Sequence, residues 1–133
     1  MRNIECIKKG EELLALIIRQ DHNQEGTEFF TPETFPQQVG FISKKKGEII
    51  QAHTHRPLKR EIHSTQEVLI IRKGRIRVDL YDQEKEYFDS RVLEAGDVIL
   101  LVGGGHGYEA LEDVEMVEIK QGPYLGKDDR ILL

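Results

Sequence analysis

Apolar and polar positions alternate most regularly between Arg75 and Tyr81, where Ile76, Val78 and Leu80 fall on one side and Arg75, Arg77, Asp79 and Tyr81 on the other. Strand side chains leave opposite faces in turn, so this run predicts a half-buried β-strand forming one wall of a barrel. From Gly40 to Lys120 short apolar or alternating runs are cut by turn residues at intervals of about 8–12 residues, as in an all-β sandwich or barrel. Further strands are expected over Phe41 to Ser43, Glu48 to His55, Glu67 to Arg72, Tyr87 to Leu93, Val98 to Val102 and Val114 to Ile119. Pro57 lacks a ladder donor and stops the run that reaches His55. Lys73-Gly74 suits a tight hairpin turn.

The run Leu13 to Ile18 is too short for periodicity to separate a buried strand from a short helix; strand is favoured. It is also the longest apolar run, far below the roughly 20 residues needed to span a bilayer. Glu11 and Glu12 precede it where a secretion signal would carry positive charge, so a cytoplasmic protein without membrane insertion is expected. The 133 residues suit one domain over 1–133 with one hydrophobic core, and no internal repeat or linker divides them. A net charge of -5 argues against a nucleic-acid partner. Cys6 is the only cysteine, which excludes an intrachain disulfide and a thiolate zinc cluster.

Candidate chemistry centres on the histidines. On a strand, His53 and His55 would leave the same face about 6–7 Å apart at their Cα atoms, so that two imidazoles could approach one ion. Such a pair arises by chance often enough that further ligands are needed. Gly47 is separated from His53 by five residues, and Glu67 from Gly74 by the six residues Val68 to Lys73. Farther on, Gly96 is followed by Gly103, Gly104, Gly105 and then His106.

This order resembles the two motifs of the cupin superfamily, here within 47–74 and 96–106. The departures are a long gap of eleven residues between His55 and Glu67, Val102 where proline is usual, His106 one position early, and Ala110 where asparagine is usual. The resemblance implies a single cupin-type β-barrel (a double-stranded β-helix or jelly roll). It also implies one divalent ion held by His53, His55, Glu67 and His106. Three imidazoles and a carboxylate suit manganese, iron, nickel, cobalt or zinc without choosing among them. A metal-free barrel, whose histidines pack or act as acid and base unaided, is the alternative.

Arg56, Lys59 and Arg60 lie in the long gap beside the expected barrel mouth and would suit a small anionic ligand, although most such clusters are only solvated loops. Tyr108 and Glu109 would point to opposite faces of a strand, and Tyr108 is the better candidate for a proton donor. His22 is given no role. The expected function is metal-dependent isomerisation or epimerisation of a small anionic, carbohydrate-type substrate. An iron-dependent dioxygenase and a non-enzymatic ligand- or metal-binding cupin are the alternatives. A homodimer is expected, because small cupins usually pair and an open sheet edge is better covered.

Overall fold

The computed structural model describes all 133 residues, except for the side chain of Asp128. Among the described residues the regular structure is almost entirely β. Its strands are β1 (Ile4–Lys9), β2 (Glu12–Ile18), β3 (Thr27–Phe29), β4 (Gly40–Ile42), β5 (Glu67–Lys73), β6 (Arg75–Tyr81), β7 (Tyr87–Glu94), β8 (Val98–Leu101), β9 (Gly105–Ala110) and β10 (Glu115–Lys120). One 3-10 turn follows at Gly126–Asp129.

The strands form a first sheet in the order β1-β2-β8-β5-β10, a second sheet in the order β7-β6-β9, and a ribbon of β3 and β4. All pairings are antiparallel. The expected closed barrel is therefore corrected: none of the three sheets closes on itself. The reason lies in residues 43–66, where the strand expected over Glu48 to His55 does not form and nearly every residue is exposed. In that run Ile49 and Ile50 would fall on opposite faces, so it has no continuous apolar side with which to bind a sheet.

The two larger sheets pack face to face. Ala15, Ile17, Leu69, Ile71, Ile99 and Leu101 from the first meet Ile76, Val78, Leu80 and Leu93 from the second in one buried cluster. Each fully buried side chain of this kind contributes roughly 1.5–3 kcal/mol. The first sheet also buries its other face: Leu16, Ile18, Val68 and Leu100 form a second cluster beneath Phe30 and Val39, which flank the ribbon. Burial on both faces explains why Leu14 to Ile18 reads as an unbroken apolar run, and it forms a strand, β2.

Lys73-Gly74 is a corner rather than the expected hairpin turn, since β5 and β6 belong to different sheets. Gly74 has φ +81°, and a Cβ there would lie 2.1 Å from the carbonyl oxygen of Asp113. Only glycine permits that close approach without displacing the backbone. At the same end of the sandwich the buried Asp97 carboxylate accepts hydrogen bonds from the backbone N–H groups of Gln20 (2.8 Å) and Glu94 (2.8 Å) and from Arg19 (3.2 Å). One carboxylate thus ties the end of β2 to the turn between β7 and β8.

Candidate functional site

At the end of the sandwich where β9 faces β5 and β10, polar side chains replace the apolar interior. Register explains the placement. His106 lies opposite Leu80 and Tyr108 opposite Val78, and both partners point into the core. His106 and Tyr108 therefore point inward as well. On β10 the inward positions run Met116, Glu118, Lys120, while Val117 and Ile119 face outward and stay partly exposed.

Here His106 Nε2 stands 3.3 Å from Glu67 Oε2. The His106 ring lies nearly parallel to that of Tyr108, with centroids 6.3 Å apart and planes at 8°. The hydrogen bond from His106 holds the Glu67 carboxyl down at about 2, against the opposing effect of burial; a second hydrogen bond, from Glu118, acts in the same direction. Glu118 is affected in the opposite sense: its hydrogen bond to Glu67, its burial and the Glu67 charge all raise its pKa. Of the two carboxyl groups Glu67 is thus the stronger acid and Glu118 the weaker. Burial and the charges of Glu118 and Glu67 also push the Tyr108 hydroxyl up, while Arg130 and Lys120 partly oppose them.

Glu67, His106 and Tyr108 open on a cavity of about 660 Å³. Tyr81 and Lys85 line its second-sheet side, and the tail Ile131 to Leu133 covers part of it. A volume of this order suits a small organic ligand.

The residues expected to form the metal site divide into two pairs. Glu67 and His106 meet in the mouth, as described. His53 and His55 stand together on the exposed segment, ring centroids 5.2 Å apart, and neither lines the cavity. Among the described residues, no group of three or more His, Cys, Asp and Glu side chains is placed to hold a metal ion. The donors themselves suit one. His53 Nδ1 is 2.7 Å from the carbonyl oxygen of Gln51, to which its N–H donates, and this leaves Nε2 with a free lone pair.

Tyr108 lines the cavity, whereas Glu109 turns outward to Arg77 at 2.9 Å. Arg56 and Lys59 are exposed on the segment, away from the cavity. Arg60 lines a smaller hollow of about 310 Å³ with Thr34, Phe35 and Pro36.

Sequence reasoning missed Glu118 and Lys120. Their signal was the alternation itself: in Met116 to Lys120 the polar residues occupy the inward positions once Glu67 is paired with Lys120. His22, given no role, is a structural residue. It is buried, accepts the Asn3 backbone N–H at Nδ1 (2.9 Å), donates to Gln24 Oε1 from Nε2 (2.8 Å), and meets the edges or faces of Phe30 and Phe41.

No family model, curated protein or solved structure matches the chain. No helix among the described residues is long and apolar enough to cross a membrane.

Proposed function

We propose that the chain is a cupin-type protein that binds a small anionic compound of carbohydrate type in the mouth between its two sheets and transfers a proton on it, as an isomerase or epimerase does. The observation that carries this reading is the 3.3 Å approach of His106 to Glu67 beside the cavity. Around it stand groups such a reaction would use: Glu118, whose pKa is raised beside Glu67, the Tyr108 hydroxyl, and Lys85 and Arg130, which line the cavity and offer positive charge to an anion. The ionised Glu67 orients the His106 ring, which leaves His106 and Glu118 to exchange protons with the carbon next to a carbonyl.

The test is incorporation of deuterium from heavy water into a panel of sugar phosphates and nucleotide sugars, followed by proton NMR. Incorporation by the parent protein that falls at least about 100-fold in His106→Gln supports the reading. Binding without any exchange would leave a ligand-binding cupin in its place.

A second reading is supported by the match of Glu67 and His106 to two positions of the cupin metal motifs. In it, a divalent ion is bound once His53 and His55 join them, and it would polarise a carbonyl oxygen of the substrate. The residue types fit such an ion, but their placement as two separate pairs does not. Elemental analysis of the untagged protein beside a His53→Ala/His55→Ala variant decides. About one metal per chain in the first and almost none in the second is expected. A metal-free parent that gains no thermal stability from manganese, iron, nickel, cobalt or zinc ends this reading.

A further inference from the structure

From the 3-10 turn Gly126–Asp129 onward the chain runs over the mouth as a strap. Asp129, Arg130, Ile131, Leu132 and Leu133 all line the cavity, and none of them belongs to a strand. The strap is held to the sheets by side chains. Lys120 of β10 pairs with Asp129 at 3.5 Å. Leu133 Cδ1 lies 2.5 Å from where a Cβ would stand on Gly105, so the leucine fills the hollow that this glycine leaves at the start of β9. The Arg130 backbone N–H, by contrast, donates to the Lys127 carbonyl within the strap itself. A segment tied down by so few contacts opens at a small cost in free energy, as covers over binding sites must.

Two features give the strap a reason to shut on a ligand. Ile131 and Leu132 are 76% and 90% exposed although both border the cavity, so a compound seated beside them would take apolar surface out of water. Lys85 and Arg130 line the same cavity, and neither forms an ion pair among the described residues. Lys85 belongs to the turn between β6 and β7, which is part of the sandwich, whereas Arg130 rides on the strap. An anion between them is thus fixed to the body by one cation and draws in the strap through the other. The charge of Arg130 also reaches Tyr108 and Glu118, which sets it over the polar end of the mouth.

We propose that residues 126–133 are a movable cover over the mouth, latched by Leu133 on Gly105, and that Arg130 closes this cover on the anionic group of the bound compound. A ligand shifts such an equilibrium by as much as it prefers the closed state, and the Arg130 contact exists only there. The closing step rests on the reading of the mouth as an anion site; the latch does not.

The test is the rate at which trypsin cuts the full chain after Lys127, since cleavage tracks the open population of a segment that opens and recloses quickly. Gly105→Ala probes the latch without ligand. The backbone of Gly105 lies outside the left-handed region, and the added methyl meets only the far end of the Leu133 side chain at less than ordinary contact distance, so the leucine gives way and the sheet stays. Cleavage at least about fivefold faster than in the parent is expected. Glucose 1-phosphate, with binding followed by calorimetry, should slow cleavage of the parent at least about fivefold, while glucose has no effect. Arg130→Gln should lose this slowing and Arg130→Lys should keep part of it.

An unchanged rate in Gly105→Ala would overturn the latch. Binding of the sugar phosphate without slower cleavage, or with equal slowing in Arg130→Gln, would overturn the closing role of Arg130 and leave the anion site standing. If neither glucose 1-phosphate nor inorganic phosphate binds the parent, the anion reading itself fails and the closing step falls with it, whatever the latch shows.

Discussion

The Glu67 carboxylate of β5 and the His106 imidazole of β9 face each other at 3.3 Å across the gap between two sheets that share no hydrogen-bonded edge there. That contact bears on a neighbouring acid, because Glu67 is the chief cause of the raised pKa of Glu118. Glu67→Gln removes the charge and should bring the Glu118 pKa down toward its ordinary value of 4.5. Carbon-detected NMR titration of the carboxyl groups measures this. An unchanged Glu118 would mean that burial alone sets its proton affinity.

Asp97 is expected to matter more for stability than any residue of the mouth. Asp97→Ala leaves the Gln20 and Glu94 N–H groups without their acceptor and Arg19 without one of its two carboxylate partners. Losses of this type amount to about 3 kcal/mol, a fall in Tm on the order of 10 °C. Calorimetry showing a shift of only a degree or two would contradict this assignment.

Glu5 gives the molecule an acid-sensitive joint. Its hydrogen bond from Arg19, aided by Arg91, lowers its pKa from 4.5 in spite of burial. The folded chain thus binds this proton less tightly than the unfolded chain. The stabilisation is fully present above the unfolded value and is lost as the pH falls through the lower folded one. Urea melts between pH 6 and pH 3 should therefore show a shallower loss of stability in Glu5→Gln than in the parent. Parallel curves would remove Glu5 from the acid response.

Two glycines of one short stretch should respond unequally to alanine. Gly104 has φ +67°, and its Cβ would lie 2.0 Å from the carbonyl oxygen of Tyr81, so Gly104→Ala should cost a few kcal/mol, about 3, in thermal unfolding. Gly107→Ala meets nothing within 4 Å and should change stability by less than about 1 kcal/mol. Equal effects would show that the sharp bend before β9 is not what requires glycine.

Much of the strand content was legible because its signal is local. Arg75 to Tyr81, Tyr87 to Leu93 and Val98 to Val102 each carry an apolar face or an apolar run, and each occurs as a strand within a residue or two. β9 was not read as a strand. Its sequence Gly-His-Gly-Tyr-Glu-Ala has no apolar alternation, and pairing with β6 supplies what its own side chains lack. The strand over Glu48 to His55 shows the converse: β-prone residues without an apolar face stay in solvent. In the mouth, the meeting of Glu67 with His106 depends on how two sheets stack, and Glu118 joins them through a register that no single stretch of sequence encodes.

The central position of β8 has a consequence for how the chain comes into being. β8 lies between β2 and β5, and four of the five connections after β5 change sheet. While a ribosome is still making the chain, β2 and β5 have no common neighbour until Leu101 has emerged. The nascent protein therefore carries β2 with one edge open beside β1, and β5 with no partner strand, until β8 is made, and an assembly dominated by such distant pairings is slow, in the range of milliseconds to seconds.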